Sequence, residues 1–180
     1  MIRQWLATPT QTTSGKVANI LAAFAINILW VILIFAVFVV IMPRWVNPIH
    51  FRVPKTFPSA DDIFFTVLMA PLWEELAFRY VPYRIAQWFE LLMRKIDYLL
   101  LDKKLLSKHL PVTANFALMI PIMVCATLIF GWGHGNGTIS LLIQGVGGLL
   151  LSIVYIKNNY SYWSSVTLHA MWNTLCYFIV

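Results

Sequence analysis

The chain has 180 residues, 60% of them hydrophobic and only 11% charged, with a formal net charge of +6. A soluble domain carries roughly a quarter charged residues, so an ordinary soluble fold is excluded, and the length fits one domain. The positive charge fits lysine and arginine at a membrane interface better than nucleic-acid binding.

In chain order, residues 17–42 (VANILAAFAINILWVILIFAVFVVIM) are the clearest spanning segment, since roughly 20 apolar residues cross a bilayer as a helix. The run is too long for a signal peptide and is expected to remain as a helix. Trp45 beyond its end suits an interface. Residues 43–60 carry Pro43, Pro48, Pro54 and Pro58 and read as a loop. A second apolar stretch covers about 61–81, with Ser59 or Asp61 as its cap. Pro71 either kinks this stretch or starts a fresh helix, and the second arrangement is preferred.

Residues 83–110 change character. Ile85, Trp88, Phe89, Leu92, Ile96 and Leu99 recur at three- and four-residue spacing, among six lysines and arginines. That pattern predicts an amphipathic helix on the membrane surface, with an extension of the preceding helix as the equal alternative. Residues 111–133, 138–157 and 161–180 are three further apolar spans. Gly145, Gly147 and Gly148 form a small-residue patch that lets helix backbones approach. Cys125 and Cys176 lie in apolar runs and read as small buried hydrophobes, not as a disulfide or metal clip.

The expected fold is therefore all-α: a polytopic membrane helical bundle of about five transmembrane helices plus one interfacial amphipathic helix, in a single domain over 1–180. With the N-terminus cytoplasmic, nine lysines and arginines lie inside and three outside, leaving out Arg79. The positive-inside rule favours that orientation.

Ionisable groups at membrane depth cost a few kcal/mol each, and they mark function by default. Glu74, Glu75, Arg79, His134 and His169 qualify, and Asn173 accompanies His169. Glu75 and Arg79 are four apart, the spacing of an ion pair along one helix face; structural neutralisation is its main expected role. Glu74 points about 100° away. A desolvated carboxylate without a cation in its own turn is suited to act as a general base. His169 and Asn173 share one face of the last span. His134 sits in GWGHGNG, whose glycines permit a tight turn. Each polar group also has a plain structural reading: a helix–helix hydrogen bond for His169, an interfacial turn for His134. Ser140, Ser152, Ser164 and Ser165 read as lacking a good base and both cysteines lie amid apolar side chains, so a covalent acyl-enzyme is disfavoured.

Three pieces occur in order: E-E-x-x-x-R (Glu74 to Arg79), F-x-x-x-H (Phe130 to His134) and H-x-x-x-N (His169 to Asn173). Together, over residues 61–180, they resemble the three motifs of the CAAX-protease and bacteriocin-processing (CPBP, abortive infection) family, which includes the type II CAAX prenyl endopeptidases. Tyr80 stands where many members have glycine, and the segment between the first two motifs is long. The resemblance implies an intramembrane protease of the glutamate type. Glu74 would be the general base, and His134 would hold and polarise the attacking water. His169 and Asn173 would donate to the oxyanion. Glu75 and Arg79 would position Glu74, and Phe130 would pack beside His134.

No cofactor is expected. Zinc held by Glu74, His134 and His169 is the second choice, because the compact H-E-x-x-H motif is missing. The expected partners are the lipid bilayer and a membrane-associated peptide or protein substrate, without nucleic acid; the expected location is a bacterial or archaeal cell membrane. Substrate identity and oligomeric state are not legible. Two rival readings are a non-catalytic immunity or scaffold protein using the same cavity, and a small transporter. The second is weakened by the lack of an internal repeat.

Overall fold

The structure is a computed structural model that describes residues 5–6, 8–41, 59–100, 114–134 and 140–179. Among these residues it is all-helical. The expected loop 43–60, apart from Ser59 and Ala60, and the part of the basic segment beyond residue 100 lie outside them.

Helix α1 (Thr13–Ile41) is apolar on every side. Among its described side chains Ile20, Ala23 and Asn27 are the buried ones, while Leu21, Ile26, Leu29, Ile32, Leu33, Val37 and Val40 face outward. An apolar face of this length fits lipid contact. It is the one described helix long and apolar enough to cross a membrane by itself.

A second helical run begins at Ser59. Its hydroxyl accepts from Asp62 N–H at 3.1 Å while the Asp62 carboxylate accepts from Ser59 N–H, a capping box. The run comprises α2 (Ala60–Ile63), a wide π-type turn (Phe64–Met69), α3 (Ala70–Glu75), a second wide turn (Leu76–Tyr80) and α4 (Val81–Leu100). The backbone stays helical through Pro71, so no fresh helix starts there. The reason is local. Proline has no N–H and its ring presses on the preceding turn. Each wide turn ends two residues before a proline, Pro71 or Pro82, and its last N–H reaches back five residues: Ala70 to Phe65 O, Val81 to Leu76 O. Helix α4 follows without a break, as the extension alternative required. Among its described side chains Tyr83 and Ala86 are buried; Ile85, Trp88, Phe89 and Leu91 point outward.

Helix α5 (Ala114–Gly133) precedes a third wide turn (Leu141–Gly145) that leads into α6 (Val146–Lys157). The two elements meet backbone to backbone. A Cβ on Gly131 would lie 2.9 Å from the Cα of Gly145, so the contact requires glycine at 131. Ser140 Oγ donates to Gly131 O at 2.7 Å across the same junction. Cys125 lies on the exposed side of α5, not in the core as expected, beside outward-facing Val124 and Leu128.

Helix α6 is the centre of the bundle. One side joins Ile20, Ala23, Phe130 and Leu168 through Leu150, Leu151 and Val154. The other joins Tyr83, Ala86 and Met119 through Tyr155 and Ile156. Its C-terminal end is tied to the start of the chain: Lys157 Nζ donates to Trp5 O at 2.7 Å and Thr8 O at 2.6 Å. Asn159 and Tyr160 adopt positive φ of 61° and 56° in the turn to α7 (Tyr162–Ile179).

Candidate active site

Three helices converge on α6. Arg79 is fully buried beside it. Its Nη1 donates to Glu75 Oε1 at 2.9 Å, and its Nη2 donates to Gly148 O at 3.0 Å. The guanidinium carbon lies 4.7 Å from the centre of the Phe130 ring, a distance for cation–π attraction. This arrangement explains Gly148. A Cβ there would sit 3.1 Å from both Arg79 Nη2 and the Phe130 ring.

Glu75, also fully buried, joins Arg79 to the last helix, because His169 Nδ1 lies 2.9 Å from the same Oε1. A carboxylate can only accept, so Nδ1 carries the proton and donates. Just past the end of α5, His134 Nδ1 lies 2.7 Å from Phe130 O, one turn back. A carbonyl also only accepts, which fixes the same tautomer for neutral His134. The rings of Phe130 and His134 meet at a tilt of 50° with centroids 4.6 Å apart, and His169 meets Phe130 edge-on at 5.5 Å.

Both histidines therefore present Nε2 to a common partner. Glu74 Oε2 is 3.8 Å from His169 Nε2 and 3.9 Å from His134 Nε2. It is buried and has no hydrogen-bond partner among the described residues. Both separations exceed a direct hydrogen bond and suit groups that share one bridging water. They also exceed the ~3.3 Å edge of a tetrahedral zinc site with ~2.0–2.1 Å bonds. No group of three or more His, Cys, Asp or Glu side chains among the described residues is arranged to hold a metal ion.

Six of the seven residues singled out from the sequence thus form one cluster: Glu74, Glu75, Arg79, Phe130, His134 and His169. Asn173 is placed differently. Its Nδ2 donates to Thr66 O on the first wide turn at 2.8 Å, with one N–H still uncommitted by that bond. His169, expected to serve an oxyanion, has Nδ1 on Glu75 and Nε2 towards Glu74. Residues 135–139 of the glycine-rich turn lie outside the described residues.

Sequence reasoning passed over Asn27, Gln144 and Gly148 as individual site residues. Asn27 and Gln144 line a small cavity with His169, Phe130 and Trp172, and Asn27 Oδ1 is buried without a partner among the described residues. An asparagine in the middle of the most hydrophobic run of the chain was the available signal. Ser140, Ser152 and Ser165 give their hydroxyl protons to the carbonyls of Gly131, Gly148 and Tyr162.

The described residues thus form an all-helical bundle with a buried Glu–Arg–His network and a second glutamate facing two histidines. A family model described as type II CAAX prenyl endopeptidase Rce1-like matches residues 57–175. The chain belongs to that family of membrane-embedded proteases. Comparisons with curated proteins and with solved structures gave no match.

Proposed function

We propose that the chain is an intramembrane endopeptidase of the glutamate type, acting on a membrane-associated peptide or protein. One observation carries the reading: Glu74 Oε2 faces the Nε2 atoms of His134 and His169 at 3.9 and 3.8 Å. With both Nδ1 atoms donating elsewhere, the neutral rings offer Nε2 lone pairs. A water at this point gives one hydrogen to Glu74 and the other to an imidazole, so its own lone pair points outward. Water oxygen then attacks the peptide carbonyl carbon while Glu74 takes the proton. Collapse of the tetrahedral intermediate breaks the C–N bond, and Glu74 returns the proton to the leaving amine. Glu75 holds His169 by Nδ1, as a carboxylate orients histidine in other hydrolases, and Arg79 holds Glu75. The serine hydroxyls already engaged by helix carbonyls favour this route over an acyl-enzyme.

Purified protein in liposomes, given a membrane-associated peptide it cleaves, tests the assignment. His134→Ala and His169→Ala are each expected to lower kcat by about 10²-fold, the scale of general acid–base catalysis. Full activity in both variants would exclude the shared-water arrangement.

A further inference from the structure

The bond from Asn173 to Thr66 has a cause in the backbone. Ala70 N–H goes to Phe65 O, five residues back. In that register the next carbonyl, Thr66 O, would receive the N–H of residue 71, which is proline and has none. In the ordinary helical register Thr66 O would receive the N–H of Ala70, already given to Phe65. Thr66 O is thus left without a helical donor in either register. Such a group in an apolar medium needs another partner. Asn173 Nδ2 supplies it at 2.8 Å, and Tyr177 Oη, one turn further along α7, lies 3.5 Å from Thr66 Oγ1. The same helix reaches α3 twice more, through Tyr162 Oη to Leu72 O at 2.6 Å and His169 to Glu75.

We propose that Asn173 is a positioning residue: it satisfies the carbonyl orphaned by Pro71 and so fixes the helix that carries Glu74 and Glu75 against α7. The kinetic part of this proposal rests on the peptidase reading above; the hydrogen-bond part does not. Pro71 makes the side chain necessary, so restoring an N–H at that position should make Asn173 dispensable. A residue acting directly on the substrate would remain indispensable.

The test is a cycle of wild type, Asn173→Leu, Pro71→Ala and the double variant, with Asn173→Leu/Pro82→Ala as the control at the other wide turn. Asn173→Asp, isosteric but lacking the donor, replaces Asn173→Leu if that variant does not accumulate. Tm in detergent and, on a cleaved peptide, kcat and KM are the readouts. Asn173→Leu should lower Tm and reduce kcat about tenfold or more, because small misplacements of a catalytic group are costly, with KM little changed. Adding Pro71→Ala should recover most of both losses, and adding Pro82→Ala should recover neither. A double variant with no recovery in Tm overturns the proposal. Recovery of Tm without recovery of kcat also overturns it, since Asn173 would then act on the substrate itself. If wild type cleaves nothing, the peptidase reading fails, and the Tm cycle alone decides whether Asn173 serves Thr66.

Discussion

Glu75 Oε1 accepts from Arg79 Nη1 and from His169 Nδ1, each at 2.9 Å, and none of the three side chains is more than 3% exposed. One oxygen therefore couples the helix bearing the glutamates to the last helix of the bundle. Removing one partner of a buried pair leaves the other charge uncompensated, at a cost of roughly 3–5 kcal/mol. Arg79→Met should accordingly cause a large loss of stability, measured as Tm in detergent. Arg79→Lys should recover only part of it, because an ammonium cannot reproduce the fork that reaches both Glu75 and Gly148.

Gly148 tests the close packing around that network. A methyl group there meets Arg79 and Phe130 at 3.1 Å, whereas a Cβ on Gly133 meets nothing within 4 Å. Gly148→Ala should lower Tm, on the scale of about 1–3 kcal/mol for overpacking. Gly133→Ala should leave Tm unchanged or raise it slightly, since alanine is the better helix former. Equal effects would contradict the packing described.

Among the described residues, the segment from Trp5 to Thr10 is tied to Lys157, whose backbone oxygen also accepts from Thr10 N–H at 2.7 Å. Lys157 Nζ donates to two carbonyls of the first residues and lies 4.6 Å from the Trp5 ring centre. Lys157→Met keeps the aliphatic stem and removes the donors. Hydrogen exchange over residues 8–12 should accelerate in that variant while exchange in α7 stays slow. Unchanged protection of the N-terminal residues would show that other contacts hold them.

Trp30 gives a smaller check on how α1 docks. Its Nε1 donates to Leu142 O in the third wide turn at 2.8 Å. Trp30→Phe removes that donor. A loss of about 0.5–1.5 kcal/mol is expected, read from unfolding in detergent.

Much of the site was legible because its chemistry is written at helical spacing. The four-residue step from Glu75 to Arg79 became an ion pair, and the Phe130 and His134 rings touch one turn apart. The small-residue patch likewise became a close approach, at Gly145 against Gly131 and at Gly148 against Arg79. The wide turns were not legible. A single added residue in a helix leaves the apolar pattern almost intact, and Pro71 alone reads equally as a kink or a helix start. Nor could the sequence say which nitrogen of His169 meets which glutamate. That depends on how α7 crosses α3, a long-range contact with no local signature. Asn27 was missed because α1 is so apolar that lipid contact accounts for nearly all of it.

The most direct test compares wild type with Glu74→Gln in liposomes, using a pooled library of hydrophobic and lipidated peptides. New termini are read by mass spectrometry, with and without a zinc chelator. Cleavage by wild type alone, unchanged by the chelator, is the result the account predicts. Equal cleavage by Glu74→Gln, or cleavage that disappears on chelation, would contradict a glutamate-activated water at this site.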